Sequence, residues 1–108
     1  MATTIAQYDY VGTDLKFLVE PETSGFDKTE HDWEVEVSRG NGRSFLFHRD
    51  ELARDAEDNF YVCFSTETYG SGLYMITIYT HTPDVDFPDG MRDEVFNAAL
   101  INIKKPKK

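Results

Sequence analysis

The chain has 108 residues, and its 20 Asp and Glu against 11 Lys and Arg leave a net charge of −9 at pH 7. This length indicates one domain with one hydrophobic core, and a hydrophobic content of 40% argues against disorder. The acidic balance argues against nucleic-acid binding, because phosphate contacts need a basic surface. No apolar run of the sequence approaches the length of a membrane span.

The first third of the chain is predicted to contain a lead-in and one strand. Residues 1–12 are interpreted as the lead-in. Residues 13–20 alternate between apolar and polar side chains, as in a half-buried strand. Pro21 ends that strand because proline cannot donate to a sheet ladder. A polar loop follows over residues 21–30, in which Phe26 is expected to close one end of the core.

A β-hairpin is predicted next. Residues 31–38 alternate strictly, with Trp33, Val35 and Val37 on the face expected to be buried. The dipeptide Asn41-Gly42 favours a type I′ turn, and the chain is expected to return antiparallel over residues 44–48.

The second half of the chain is predicted to add three more strands. Residues 49–58 form either a short helix capped by Asp50 or a polar loop. After these residues, the sequence predicts a strand over 60–65, a bend at Gly70-Ser71-Gly72 and a long strand over 73–82. An acidic loop over 83–90 and a last strand over 94–104 complete the predicted elements. The alternation in the last strand shifts near Leu100, which predicts a β-bulge.

These elements predict an all-β fold, an antiparallel two-sheet β-sandwich of about seven strands with immunoglobulin-like topology. A small closed barrel is the alternative. The single domain is expected over residues 13–104. A basic tail follows at 105–108, continuing the lysine run that starts at Lys104. It is interpreted as solvated, and the alternative is an electrostatic contact with an acidic partner.

The reactive side chains do not predict catalysis. Cys63 is the only cysteine, so no internal disulfide can form, and its place in the middle of a strand predicts a buried or half-buried thiol. His31, His48 and His81 are far apart in sequence and lack the spacing of a zinc site. No enzyme activity is expected.

Calcium is the one cofactor that the sequence suggests. Residues 84–90 (DVDFPDG) carry alternating carboxylates, and calcium takes oxygen ligands from tight turns of this kind. The candidate ligands are Asp84, Asp86, Asp89 and Glu94. The spacing departs from an EF-hand, and Pro88 lies inside the loop. The alternative is an acidic turn whose carboxylates stay in solvent.

The order of several motifs resembles small β-sandwich proteins of phages and prophages of gut Bacteroidetes. The motifs are Asp-Leu-Lys-Phe at residues 14–17, Tyr-Val-Cys-Phe at 61–64, Gly-Ser-Gly at 70–72 and Pro-Asp-Val-Asp-Phe-Pro-Asp-Gly at 83–90. Those proteins are in turn similar to the N-terminal domains of phage baseplate upper proteins. The resemblance implies an immunoglobulin-like fold and a structural or tail-associated role. It carries no catalytic residues. Baseplate proteins usually continue into a longer receptor-binding region, which these 108 residues do not include, so a stand-alone accessory protein is also an open interpretation.

The first functional hypothesis is therefore a non-enzymatic structural or assembly protein of a phage or prophage particle. Its expected partners are further copies of itself or other virion proteins, with no nucleic acid and no membrane. The expected location is the bacterial cytoplasm during assembly, or the virion. The second hypothesis is a calcium- or carbohydrate-binding module.

Overall fold

A computed structural model describes residues 4–8, 14–39 and 44–103. They form two facing β-sheets, as predicted from the alternation of apolar residues. The five-stranded sheet has the order β1-β8-β7-β3-β4, and its strands are β1 (Thr4–Tyr8), β8 (Met91–Ile103), β7 (Gly72–Pro83), β3 (Trp33–Arg39) and β4 (Ser44–His48). The three-stranded sheet has the order β2-β6-β5, and its strands are β2 (Asp14–Val19), β6 (Phe60–Ser65) and β5 (Ala53–Arg54).

The predicted β-sandwich is confirmed, and the pairing is antiparallel except at one edge. There β1 runs parallel to β8, from Thr4 opposite Ala99 to Tyr8 opposite Ile103. The segment interpreted as a lead-in thus contains a strand. The parallel direction of β1 has a topological reason. β2 begins at the end of the sandwich where β8 finishes, and β1 precedes β2 in the chain, so β1 runs toward that end, as β8 does.

The core lies between the two sheets, and its rings cross the interface. Trp33 on β3 meets Phe60 on β6 edge to face, with ring centroids 5.2 Å apart. Phe64 stacks on Tyr74 at 5.7 Å. Trp33, Tyr74 and Phe60 are the largest side chains with less than about one-fiftieth of their surface exposed. Phe26 packs against this core from the β2–β3 connection, as predicted.

The predicted irregularity in the last strand is present two residues before the expected position. Ile76 lies opposite Ala99, whereas Thr77 lies opposite Asn97, so Ala98 is the extra residue of a bulge. Because a bulge reverses the alternation, Phe96 faces the core before it and Ile101 faces the core after it.

Two connections differ from or refine the expectation. After β4 the chain makes one 3-10 turn, Arg49–Glu51, whose cap is His48 rather than Asp50. The helix α1 (Thr66–Tyr69) follows β6 and leads into the predicted bend, where Gly70 and Gly72 have φ of 90° and 136°. The predicted turn at Asn41-Gly42 lies outside the described residues, as do residues 1–3, 9–13 and 104–108.

Candidate interaction site at one end of the sandwich

Three segments meet at one end of the sandwich. They are residues 20–32 between β2 and β3, residues 49–52 after β4, and residues 84–94, which comprise the β7–β8 turn and the start of β8. They meet because β2, β4 and β7 finish at this end and β3 and β8 begin there. β5 also finishes and β6 begins at this end, so the β5–β6 turn over residues 55–59 lies beside them. We call these three segments together the loop end.

Arg92 joins two of the three segments. Its Nη1 donates to Asp84 Oδ2 at 2.7 Å, its Nε donates to Glu94 Oε1 at 3.0 Å, and its Nη2 donates to the carbonyl oxygen of Ser24. Thr23 adds a second link by donating its hydroxyl proton to Glu94 Oε1 at 2.7 Å. One guanidinium therefore ties the β7–β8 turn to the β2–β3 connection.

The electrostatics of this contact favour the charged form of every partner. The hydrogen bond from Thr23, followed by the bond from Arg92, lowers the pKa of Glu94. The backbone hydrogen bond from Asp86, followed by the side-chain bond from Arg92, lowers the pKa of Asp84. Hydrogen bonds to Glu94 and then to Asp84 raise the pKa of Arg92. The link therefore persists across the neutral pH range.

The β7–β8 turn is closed by its own acidic side chains. Asp84 Oδ1 accepts a hydrogen bond from the Asp86 amide at 3.0 Å, and Asp89 Oδ1 accepts one from the Met91 amide at 3.1 Å. Gly90 takes the left-handed conformation, with φ of 77°, that completes the turn. Its carbonyl oxygen accepts a hydrogen bond from the Asp84 amide at 2.9 Å.

This closed turn holds two apolar side chains in solvent. Val85 is 97% exposed and Phe87 is 42% exposed. We call these two residues the apolar tip. An aromatic side chain held outward on an ordered turn is suited to anchor a contact with a partner.

The β2–β3 connection is ordered by polar contacts as well. Asp27 Oδ1 accepts hydrogen bonds from the amide and the hydroxyl of Thr29 at 2.9 and 2.7 Å, and these bonds lower its pKa. Arg49 Nη1 donates to the carbonyl oxygen of His31 at 2.8 Å. The indole N–H of Trp33 donates to the carbonyl oxygen of Lys28 at 2.9 Å. All three segments of the loop end are thus connected to one another or to the core.

A histidine lies between two carboxylates on the outer face of the five-stranded sheet, next to the loop end. His81 Nδ1 is 2.8 Å from Asp93 Oδ1, and its Nε2 is 2.9 Å from Glu34 Oε2. The hydrogen bonds to Asp93 and then to Glu34 raise the pKa of His81. The imidazolium form donates to both carboxylates and so links three neighbouring strands.

The structure brings together two of the four candidate calcium ligands. Asp84 and Glu94 both contact Arg92, so a guanidinium lies where a bound cation would balance their charge. Asp86 is exposed, and Asp89 accepts the Met91 amide within the turn. Among the residues that the structure describes, no three His, Cys, Asp or Glu side chains are grouped so as to hold a metal ion.

The other reactive residues are placed as follows. Cys63 is exposed on the outer face of the three-stranded sheet, so the expectation of a buried or half-buried thiol is wrong. The reason is the register of β6, in which Phe60, Val62 and Phe64 face the core and Cys63 faces solvent. His31 lies within the loop end, where its Nδ1 accepts a hydrogen bond from the Asp27 amide. His48 directly precedes the loop-end segment 49–52 and caps the 3-10 turn.

The residue that the sequence interpretation missed is Arg92. Arg92 and Glu94 are two positions apart in a strand, which places both on one face, and this spacing was the available signal. Thr23 and Ser24 carry no such signal, because their contacts span 71 and 68 residues of sequence.

No protein-family model, no curated protein and no solved structure matches this chain. No helix in the described part of the chain is long and apolar enough to cross a lipid bilayer.

Proposed function

We propose that this protein is a non-enzymatic structural or assembly protein of a phage or prophage particle, and that its sandwich acts as a protein-binding module. The single observation that carries the binding role is the apolar tip, Val85 and Phe87, held in solvent by a turn that Arg92 ties to the β2–β3 connection. The assignment to a particle rests on the resemblance of the motifs at residues 14–17, 61–64, 70–72 and 83–90.

The physical argument for binding is preorganisation. A loop that is already ordered loses little conformational entropy when it docks, so more of the contact energy appears as affinity. Asp84 and Asp89 order the backbone of this turn, and Arg92 fixes its position. An exposed aromatic residue such as Phe87 is a suitable anchor for a pocket on a partner.

The strand order supports an immunoglobulin-like relationship. In that fold, strands B, E and D form one sheet, and strands G, F and C form the other with an added C′ strand. Here β2-β6-β5 would correspond to B-E-D, and β8-β7-β3-β4 would correspond to G-F-C-C′. The loop end then corresponds to the end of the sandwich where variable domains carry their binding loops.

The test is association with particles. Prophages are induced in a bacterial strain that encodes this chain, and the lysate is separated on a density gradient. The wild type is expected to sediment with the particles, as is the control Val95→Ser, which changes an exposed apolar residue on the sheet face. The double variant Val85→Ser/Phe87→Ser is expected to stay at the top of the gradient.

Two results would overturn the proposal. One is a wild-type protein that is absent from every particle fraction. The other is a double variant that sediments with particles as the wild type does. The calcium alternative is tested separately with purified protein, where it requires heat of binding and a higher Tm at millimolar calcium.

A further inference from the structure

The loop end of the sandwich carries a large excess of negative charge. The loop end contains twelve Asp and Glu against three Lys and Arg, which leaves nine negative charges. Two of its three cations are engaged within it: Arg92 contacts Asp84 and Glu94, and Arg49 donates to backbone carbonyls. The loop end therefore presents a strongly negative surface around the apolar tip.

In the sequence, a run of lysines follows the strand that finishes at the other end. The last residue of β8, Ile103, pairs with Gly72, at the far end of the five-stranded sheet. Residues 104–108 (KKPKK), which we call the basic segment, follow it directly and hold four of the eleven Lys and Arg of the chain. Leu73, which is 49% exposed, lies next to this end of β8 opposite Asn102.

The basic segment cannot reach the loop end of its own molecule. From Glu94, the last residue of the loop end, β8 continues for nine residues to Ile103, and at about 3.3 Å each these separate the two by roughly 30 Å. Five residues span at most about 18 Å when fully extended. Any contact between the basic segment and the loop end must therefore join two molecules.

We propose that copies of this protein associate head to tail, with the basic segment of one copy bound to the loop end of the next. The lysines of the first copy contact the carboxylates at the loop end of the next copy, and Leu73 of the first copy packs near the apolar tip of the next. This inference rests on the proposed role of the loop end in protein binding, and it commits that surface to a second copy as its occupant. Such a contact joins two different surfaces, so it propagates into rings or filaments rather than closing as a symmetric dimer.

The contact has to overcome the repulsion between two molecules of net charge −9. At close approach the lysines and carboxylates lie within a Debye length of one another, so their attraction acts locally while the remaining charges are screened. Association is therefore expected to weaken steeply at high salt, where the local attraction is screened as well.

The first experiment measures the mass of the purified full chain by sedimentation equilibrium. In about 20 mM salt the mass is expected to rise with protein concentration, and in about 500 mM salt it is expected to fall back to the monomer. Replacing the four lysines of the basic segment with Gln is expected to weaken association at low salt at least about tenfold. A wild type that stays monomeric at low salt would overturn the proposal.

The second experiment uses complementary variants. The first lacks the four lysines and keeps an intact loop end. The second keeps the basic segment and carries Val85→Ser, Asp86→Asn, Phe87→Ser and Asp89→Asn. At position 89 Asn can still accept the Met91 amide, and a wild-type Tm serves as the folding control. At a concentration where the wild type is mostly associated, each variant alone is expected to be mainly monomeric, and an equimolar mixture is expected to form a dimer and no larger species.

The complementary pair separates this contact from a symmetric one. A variant that self-associates alone as strongly as the wild type, or a mixture that stays monomeric, contradicts the head-to-tail contact. These outcomes are independent of the particle test, because a protein that is monomeric in solution can still sediment with particles through another virion protein. In that case the proposed function stands and the head-to-tail inference fails.

Discussion

The middle of the sandwich and its loop end both hold together segments that are distant in sequence, but they do so by different physical means. In the middle, Trp33 and Phe60 exclude water between two sheets, and this apolar contact is non-directional. At the loop end, Arg92 and Thr23 use hydrogen bonds of defined geometry to join loops that bury little apolar surface. Stability is therefore expected to depend mainly on the middle, and the shape of the exposed surface on the loop end.

The largest expected effect comes from the core. Phe60→Ala removes a ring that is 2% exposed, and it should lower the free energy of unfolding by about 3–5 kcal/mol because a cavity remains. Denaturant unfolding measures this loss. The matched control is Val95→Ala, at a residue that is 63% exposed, with an expected change within about 0.5 kcal/mol. Equal losses in the two variants would contradict the described position of the core.

Arg92→Met should alter the loop end more than the global stability. Without the guanidinium, amide exchange in the β7–β8 turn and at residues 23–26 should accelerate at least about tenfold, while exchange in β3 and β7 stays close to wild type. Hydrogen exchange followed by mass spectrometry or NMR measures both regions. Uniform acceleration across the chain would show that Arg92 stabilises the whole domain rather than this end.

The same contact predicts a dependence on acid. The pKa values of Asp84 and Glu94 are lowered from their ordinary values of 3.8 and 4.5. Their contribution is therefore complete above those values and declines as the pH falls through the lowered values in the folded protein. In Arg92→Met this acid-dependent step should shrink. An unchanged step would indicate that other groups cause it.

His81 predicts a dependence of the opposite sign. Its pKa is raised above the ordinary value of 6.5 by Asp93 and Glu34, so its contribution is complete below pH 6.5. That contribution is lost as the pH rises through the higher value of the folded state. His81→Gln should lower the free energy of unfolding by up to about 1 kcal/mol at pH 6 and by less at pH 9. An equal loss at both pH values would contradict the assigned charge.

The smallest expected effect is at Cys63. The thiol is exposed on the three-stranded sheet, so it should react with a thiol reagent in the folded protein without denaturant. Cys63→Ser should change the free energy of unfolding by no more than about 0.5 kcal/mol. Slow labelling that requires denaturant would indicate that β6 has the opposite face toward the core.

The strands could be predicted because their cause is local. A buried face and a wet face impose a period of two, and that period places Trp33, Val35 and Val37 on one side without knowledge of any partner. The bulge was visible for the same reason, since the alternation shifts near its position. The strand at residues 4–8 was missed because it pairs only with residues 99–103, and nothing within the segment itself indicates that partner.

The candidate site was only partly predictable. An acidic turn over residues 83–90 was predicted, and two of the four candidate ligands, Asp84 and Glu94, both contact Arg92. The choice between a metal ion and a guanidinium, however, depends on which side chain points between them. That orientation is set by the pairing of β7 with β8 and by the approach of Ser24 from another loop.

By itself, the sequence determined which residues alternate, where the chain turns, and that its charge is divided between an acidic body and a run of lysines. These properties follow from local stereochemistry and composition. Only the tertiary structure decided that three loops meet at one end, that Arg92 links two of them, and that β8 carries the chain from this end to the opposite end of the sheet, at Ile103, before the lysines follow in the sequence. Contacts between distant segments depend on strand order and register, because each side chain finds its partner only after the sheets have formed.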